Sequence, residues 1–194
     1  DPVIHLWRHP RPVDAAGRCI GRTDLAVDPR KSKRLAHRIR RFARRHQLPR
    51  VVHTSPLRRG ADVGHWLARW GWVHHTDSAL SEMDFGDWDG QHWDTIGEPA
   101  VSAWCDDLAH DRAHGGESVS MLFERCADWL ARTAHVPVRC VVGHAGWINA
   151  VRLLLQGHGP PANAKDWPTA PNYGERLKPL PSAIALAPRS APSV

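Results

Sequence analysis

The sequence predicts an α/β fold, a three-layer sandwich in which a central, largely parallel sheet is flanked by helices. Two observations predict it. Short apolar runs typical of buried strands alternate with longer segments of helical periodicity. The 194 residues, 42% of them hydrophobic and 24% charged, are enough to bury one core, and neither a repeat nor a linker interrupts the pattern. We therefore expect a single domain over residues 1–194.

Four apolar runs predict strands, over residues 3–7, 50–53, 72–75 and 138–142. The last is the clearest, because five residues that include three valines stop abruptly at Gly143-His144. Another apolar stretch, residues 183–186, follows a proline-rich segment.

Helical spacing predicts helices from about residue 29 to 45, from 57 to about 71, over 118–132 and over 147–155. The first begins at Pro29, a residue type tolerated at a helix start, and spaces Leu35 and Ile39 among basic residues. The segment 82–116, rich in Asp, Gly and Trp, predicts loops and short helices.

The charge balance favours anionic ligands. The formal net charge is +6 and the pI about 9.7, which suits phosphorylated substrates and nucleic acid alike. Much of the excess lies in residues 30–45, which we interpret as a solvated helix face because base-reading residues and an aromatic platform are missing there. We therefore expect a small phosphorylated substrate and no nucleic-acid partner.

Other classes of protein are disfavoured. No apolar run approaches the roughly 18–20 residues of a membrane helix, so no membrane partner is expected. Cys19, Cys105, Cys126 and Cys140 form no CxxC pair, which favours reduced thiols in the cytoplasm. Fourteen histidines include no HExxH motif, so no metal site is predicted.

Reactive residues follow three of the predicted strands. Arg8 and His9 end the first, Ser55 follows the second with Arg59 just beyond, and His144 follows the fourth. In open α/β sheets ligands bind beyond the carboxyl ends of the strands, so these residues could converge on one pocket. Arginine forks match phosphate oxygens, and neutral imidazole can attack phosphorus.

These residues lie within a set of five motifs that occur in a fixed order. Two precede residue 61: Leu6-Trp7-Arg8-His9 resembles LxRHG, and Ser55-Pro56-Leu57-Arg58-Arg59-Gly60 resembles SxLxRA. Three follow it: residues 81–90 (SEMDFGDWDG) resemble LxExxFGxWEG, Gly115-Gly116-Glu117-Ser118 matches GGES, and Val142-Gly143-His144-Ala145-Gly146 resembles VxHGG. The set, co-linear over roughly residues 3–155, resembles the histidine-phosphatase, or phosphoglycerate-mutase-like, superfamily. The resemblance implies the phosphoglycerate-mutase-like form of the α/β sandwich.

The resemblance also implies the roles of the matched residues. His9 would be the nucleophile that forms phosphohistidine, with Arg8 and Arg59 clamping the phosphoryl oxygens. His144 would complete the pocket and stabilise charge on the transferring group. Glu82 would be the general acid that protonates the leaving group and later helps water to attack. No cofactor is expected, because the two arginines supply the charge that metals supply elsewhere.

The chain departs from the pattern after the nucleophile. Where the family usually has Gly, a hydroxyl residue and Asn, this sequence has Pro10, Pro12 and Ala15. Pro10 also removes a backbone N–H. We expect Arg22 or Thr23, from the next loop, to replace the lost phosphate contacts.

Residues near the motifs receive secondary roles. Arg58, one position from the motif arginine, is interpreted as a supporting charge or a surface residue. Glu117 is interpreted as a structural carboxylate at a helix start that braces a pocket arginine. Trp88, Trp93 and Trp104 could cover a substrate or only pack in the core.

The family resemblance leaves several reactions open. Between Glu82 and Gly115 the chain lacks the longer basic insertion of phosphoglycerate mutases, which favours water as the phosphoryl acceptor. Residues 19–25 and the compact loops resemble the α-ribazole-phosphatase branch. A mutase-type phosphotransferase and a protein phosphohistidine phosphatase remain alternatives. The sequence leaves open whether residues 172–175 close over the site, and whether the chain forms a homodimer.

Overall fold

The computed structural model describes residues 2–181. Five strands form one sheet: β1 (Val3–Arg8), β2 (Val51–Thr54), β3 (Val73–Thr76), β4 (Val138–Gly143) and β5 (Arg176–Pro181). Six helices accompany them: α1 (Pro29–Arg45), α2 (Arg58–Arg69), α3 (Trp93–Ile96), α4 (Glu98–Asp106), α5 (Val119–Arg132) and α6 (Ala145–Leu155). Short 3-10 turns cover Ser78–Leu80, Gly86–Trp88 and Ala164–Asp166.

The sheet has the strand order β3-β2-β4-β1-β5. Strands β1 to β4 are parallel, and β5 runs antiparallel to β1 at the edge. The register places Arg8 beside Gly143 and Thr54 beside Val142. The carboxyl ends of the three central strands therefore meet along one edge of the sheet.

Two apolar clusters cover the two faces of the sheet, because alternate residues of a strand point to opposite sides. Ile4, Leu6 and Val141 pack with α5 and α6. Trp7 and Val142, on the alternate positions, pack with α1 and α2. This arrangement confirms the predicted three-layer α/β sandwich with a largely parallel sheet.

Helix starts follow ordinary capping chemistry. Asp28 accepts a hydrogen bond from the N–H of Arg30 at the start of α1, where Pro29 takes the first helical position. Ser118 accepts from the N–H of Met121 at the start of α5. The predicted helices and strands therefore lie within a few residues of the observed ones.

The sequence does not predict strand β5, because the segment after Gly157 is rich in proline. Pro179 and Pro181 are untypical of strands, so the sequence pattern here does not indicate one. A strand at the edge of a sheet tolerates proline, because one of its sides forms no hydrogen bonds with a neighbouring strand. The apolar stretch 183–186 lies outside the described residues. Among residues 2–181, no helix is long and apolar enough to cross a membrane.

Candidate active site

The structure brings the reactive residues of three strand ends together. The ring centroids of His9 and His144 are 5.1 Å apart, and Ser55 Oγ lies 2.7 Å from Nε2 of His144. These contacts follow from the register of β1, β4 and β2, whose ends carry the three residues. The site therefore lies at the edge of the sheet where parallel α/β proteins bind ligands.

His9 is held as a neutral imidazole with one ring nitrogen committed. Its Nδ1–H donates to the backbone carbonyl of Pro10 at 2.7 Å, which leaves the lone pair on Nε2. Burial, followed by the positive charge of Arg59, lowers the pKa of His9 to about 3. His9 lines a cleft, so the free nitrogen belongs to a group that can attack an electrophile there.

Arg59 is fixed from several sides by backbone and ring acceptors. It donates through Nη1 to the carbonyl of Thr23, and through Nη2 to the carbonyl of Gly21 at 2.8 Å and to Nδ1 of His144 at 3.3 Å. The side chain is only 1% exposed, and burial lowers its pKa. The guanidinium is therefore held rigidly in the wall of the cleft.

Arg8 is anchored by the chain segment before β5. Its Nη1 donates to the carbonyl of Pro171 at 2.7 Å, and its guanidinium carbon lies 3.9 Å from the ring centroid of Tyr173. The Nε atoms of Arg8 and Arg59 are buried without a hydrogen-bond partner among the described residues, and neither arginine forms an ion pair there. A buried arginine and a partly buried one, both without an ion pair among the described residues, suit the binding of an anion in the cleft.

His144 lies beneath the cleft rather than on its surface. Because a guanidinium can only donate, Arg59 fixes Nδ1 of His144 as the acceptor, so Nε2–H donates to Ser55 Oγ. Burial, followed by the neighbouring His9, holds the pKa of His144 well below its usual value. The ring is fully buried and is not among the residues that line the cleft, so within the described structure it contacts His9 and Arg59 instead of open space.

Glu82 is positioned by the first turn of α6. One carboxyl oxygen accepts from the N–H of Gly146 at 2.9 Å, and the other accepts from those of Trp147 at 3.2 Å and Met83 at 3.0 Å. A Cβ atom at position 146 would lie 2.5 Å from Oε1 of Glu82, so the glycine leaves room for the carboxyl group. Glu82 lines the same cleft as His9.

Arg22 and Thr23 are not brought to the cleft, in contrast to the prediction. Asp89 accepts hydrogen bonds from the backbone N–H groups of both residues and from the Thr23 hydroxyl. Arg22 donates to the carbonyl of Glu82 at 2.8 Å and lies 3.6 Å from Glu117. Neither side chain belongs to the cleft lining within the described chain, because these protein acceptors hold them elsewhere.

Glu117 and Arg125 brace the segment that carries Glu82. Arg125 forms a two-nitrogen ion pair with the Glu117 carboxylate, at 3.0 and 2.8 Å, and donates to the carbonyls of Ala79 and Ser81. Although burial opposes it, the hydrogen bond from Arg125 lowers the pKa of Glu117. Glu117 has the predicted structural role, but the arginine that it pairs with, Arg125, is not among the described residues that line the cleft. The sequence gives little sign of Arg125, which is a basic residue on the apolar face of α5.

The cleft that His9, Arg8 and Arg59 line is otherwise largely apolar. Its volume is about 510 Å³. Aromatic and aliphatic side chains form its walls, namely Phe85, Trp93, Trp104, Leu108, Val119, Leu122, Trp167 and Tyr173. Pro12 and Ala15, which replace polar family residues, also line it.

Of Trp88, Trp93 and Trp104, which the sequence places near the motifs, two line the cleft. Trp93 and Trp104 face the cleft with ring centroids 6.5 Å apart, whereas Trp88 is buried against both. Tyr173 lies 5.8 Å from His9 between ring centroids, so the segment 172–175 does lie against the site. Arg58 is exposed, as a surface residue.

A metal centre was not expected, and the described residues contain no group of three or more His, Cys, Asp or Glu placed to hold one. The positive charge of the site comes from Arg8 and Arg59.

The chain is similar to known proteins in sequence and in fold. Residues 4–174 match the model of the family described as "Histidine phosphatase superfamily (branch 1)". A curated relative, the adenosylcobalamin/alpha-ribazole phosphatase of Escherichia coli (strain K12), is 35% identical over 91 residues, which are 44% of this chain and 44% of the relative. The matched region thus spans less than half of that relative.

Solved structures resemble the whole fold. A mycobacterial glucosyl-3-phosphoglycerate phosphatase has a TM-score of 0.74 and 23% identity, over 91% of each chain. The alpha-ribazole phosphatase of Shigella flexneri has a TM-score of 0.66 and 25% identity, over 82% of this chain and 81% of that one. On the match that spans residues 4–174, this chain belongs to branch 1 of the histidine phosphatase superfamily.

Proposed function

We propose that the protein is a metal-independent phosphomonoesterase that transfers a phosphoryl group to Nε2 of His9 and then to water. The observation that carries this proposal is the neutral His9, whose Nδ1–H donates to the Pro10 carbonyl. Arg8 and Arg59 line the same cleft and form no ion pair with a carboxylate among residues 2–181. An unprotonated imidazole beside two cations suits attack on a phosphate dianion.

The first step forms the bond between Nε2 of His9 and phosphorus and breaks the bond between phosphorus and the ester oxygen. Glu82 gives its proton to the leaving alkoxide, which departs as an alcohol. Arg8 and Arg59 neutralise the charge on the phosphoryl oxygens throughout. His144 acts indirectly in this scheme, since it hydrogen-bonds Arg59 and packs against His9.

In the second step a water oxygen attacks phosphorus and the bond to Nε2 of His9 breaks. The ionised Glu82 takes a proton from that water, so both residues return to their starting states and inorganic phosphate leaves. Because the backbone N–H groups of Gly146 and Trp147 hold the carboxyl group in one place, it can serve both steps.

For the substrate we propose α-ribazole 5′-phosphate or another monoester with a flat, apolar leaving group. Trp93, Trp104 and Trp167 line the cleft beyond the phosphate end. Arg18 also lines it, yet its Nε and Nη1 donate to the carbonyls of Gly90 and Asp14. An aromatic ring carried by the leaving alcohol, such as the benzimidazole of α-ribazole, would stack well there. A carboxylate on the leaving alcohol would meet Arg18 as the one further arginine among the described residues that line the cleft.

Glucosyl-3-phosphoglycerate is the second candidate, on the likeness of the fold to the mycobacterial enzyme. The sequence likeness to the α-ribazole phosphatases and the apolar lining favour the first. A mutase-type transfer or the hydrolysis of a protein phosphohistidine would use the same His9 chemistry with a different acceptor or donor.

The test is phosphate release from a panel of esters in the presence of EDTA. The panel contains α-ribazole 5′-phosphate, glucosyl-3-phosphoglycerate, 3-phosphoglycerate and p-nitrophenyl phosphate. We expect hydrolysis in EDTA, fastest with the ribazole ester. Hydrolysis that requires added metal would contradict the metal-independent mechanism, preference for glucosyl-3-phosphoglycerate would overturn the substrate, and phosphoryl exchange without phosphate release would favour the mutase.

We also propose a cytoplasmic location and a single domain. Cys19, Cys105, Cys126 and Cys140 are all free, and three of them are buried, which suits a reducing compartment. A homodimer stays a prediction, which light scattering of the purified chain would test.

A further inference from the structure

A second cavity is separate from the candidate active site. It has a volume of about 940 Å³ and lies between the C-terminal ends of α1 and α2. It shares no lining residue with the cleft around His9. Arg50 and Trp72, which line it, directly precede β2 and β3, so the cavity lies at the opposite edge of the sheet from His9.

Five arginines line this cavity: Arg40, Arg41, Arg44, Arg45 and Arg50. None of them forms an ion pair among residues 2–181. Like charges four residues apart on a helix, as in Arg40 with Arg44, repel each other and destabilise the helix. A fold that gathers them in one hollow therefore keeps a concentrated positive potential there.

Helix dipoles account for only part of this cluster. Arg44 and Arg45 lie in the last turn of α1, where a cation is stabilised by the negative end of the helix. Arg40 and Arg41 lie a turn earlier, and Arg50 lies outside any helix. These three charges are the ones that helix stability leaves unexplained.

Trp70, in the wall of the cavity, holds the guanidinium of Arg40 in place. The guanidinium of Arg40 lies 4.3 Å from the ring centroid of Trp70 and 3.2 Å from Nδ1 of His37, whose ring is itself 4.3 Å from Trp70. Trp72 is buried. Trp70 is thus engaged by the protein's own side chains, which favours a ligand recognised by charge over a nucleobase that needs a free stacking face.

We propose that this cavity binds a small anion with several linked phosphate groups, through Arg41, Arg44 and Arg50. Each planar guanidinium can donate two parallel hydrogen bonds to one phosphate, and Arg40 is already held in place by His37 and Trp70. The binding site is independent of the proposed chemistry at His9, because the two sites lie at opposite edges of the sheet.

The test compares two variants of equal charge change. Arg41→Gln/Arg44→Gln/Arg50→Gln removes three charges that line the cavity, and Arg30→Gln/Lys31→Gln/Arg34→Gln removes three charges of α1 outside it. All six side chains are exposed, so the two variants differ in position and not in burial. The probe is a methylene-bridged analogue of tripolyphosphate, which resists hydrolysis, and its affinity is measured by titration calorimetry at about 0.15 M salt. Activity on p-nitrophenyl phosphate, expected to be equal in all three proteins, reports folding.

We expect the cavity variant to lose at least about tenfold in affinity and the control variant to lose less than about threefold. Equal losses in the two variants would show a general charge effect and overturn the proposal. So would the absence of any binding by the unmodified chain. A single-stranded oligonucleotide that binds more tightly than the probe, with the same dependence on the cavity arginines, would replace the proposal with a nucleic-acid site.

Discussion

At the scale of single residues, the site combines a neutral nucleophile with fixed cations. Pro10 departs from the family pattern, yet its carbonyl still accepts the Nδ1–H of His9 and so directs the other ring nitrogen to the cleft. Because proline has no backbone N–H, residue 10 cannot donate a backbone hydrogen bond to a phosphate. Arg8 and Arg59 are the groups left to hold the anion, and both have a buried Nε free among the described residues.

The role of Glu82 can be tested with esters that differ in their leaving group. Glu82→Gln should lower kcat by about 10²–10⁴-fold on an alkyl phosphate, because the alkoxide then receives no proton. On p-nitrophenyl phosphate, whose leaving group is stable as an anion, the loss should be much smaller. The measurement is kcat on both esters for this variant and for Glu124→Gln, an exposed control on α5. Equal losses on both esters would remove Glu82 from the role of acid.

The sequence predicts well which residues line the cleft. It predicts less well which hydrogen-bond partners the neighbouring side chains have. His9, Arg8, Arg59 and Glu82 line the cleft as the motifs suggested. The displacement of Thr23 was not predictable, because it depends on a competing acceptor, Asp89, 66 residues later in the chain. Which acceptor a side chain binds depends on the tertiary structure, and a sequence motif does not contain that information.

At the scale of elements, strand ends and helix starts set the geometry of the site. Helix α6 begins directly after β4, and its first free N–H groups bind the Glu82 carboxyl group, as helix N-termini bind anions. Helix α5 contributes Arg125, which holds the segment before Glu82 through backbone carbonyls.

Substitution at Gly146 should separate catalysis from folding. Alanine in a helix is favoured over glycine by up to about 1 kcal/mol, which offsets part of the cost of moving the buried Glu82 carboxyl group, so the Gly146→Ala chain should still fold. Its Cβ would displace Glu82, from which it would lie 2.5 Å, so kcat on an alkyl phosphate should fall at least tenfold, on the order of the general-acid contribution. Gly159→Ala, where no atom lies within 4 Å, is the control. Unchanged kcat together with an unchanged melting temperature would contradict this role of α6.

Breaking the ion pair behind Glu82 should affect stability as well. Glu117→Gln leaves the largely buried Arg125 without its counter-charge, and such a change costs about 3–5 kcal/mol. Urea unfolding would measure the loss, with Glu124→Gln as the exposed control. A loss under about 1 kcal/mol would mean that the backbone carbonyls alone satisfy Arg125.

At the scale of the whole molecule, buried histidines make the fold sensitive to acid. Burial is the largest cause of a lowered pKa in five buried histidines, His5, His9, His53, His114 and His144, and in the half-buried His74. The pKa falls to about 3 for His9 and to about 4 for His53 and His74. In the unfolded chain each would titrate near its ordinary pKa of about 6.5. Below that pH the unfolded state takes up more protons than the folded state, so the free energy of unfolding falls until the pH reaches the folded pKa values.

Each fully buried histidine can remove up to about 1.4 kcal/mol per pH unit in that window, and partly exposed ones remove less. Urea unfolding at about pH 7 and about pH 5.5 should therefore show a steep loss of stability on the acid side. His53→Asn removes one titrating ring whose Nε2 is buried and has no partner among the described residues, so it should flatten the slope. Stability that does not change between these pH values would contradict the neutral, buried histidines.

The layers and the parallel strands were predictable because period-2 and helical patterns are strong where residues face one core. The edge strand β5 was not predictable, because its prolines interrupt the strand pattern and its pairing with β1 joins residues that are 169 to 178 positions apart in the sequence. That strand follows directly on Tyr173 and Gly174, whose placement beside Arg8 and His9 was therefore also beyond the sequence.

The most direct test of the proposed mechanism is the covalent intermediate on His9. The enzyme would be mixed with a ³²P-labelled phosphate monoester, quenched in base within milliseconds and digested for mass spectrometry, with His9→Ala alongside. We predict a base-stable, acid-labile phosphoryl group on His9, absent from the variant, which should be folded but without measurable turnover. Label on another residue, or normal turnover by His9→Ala, would contradict the mechanism.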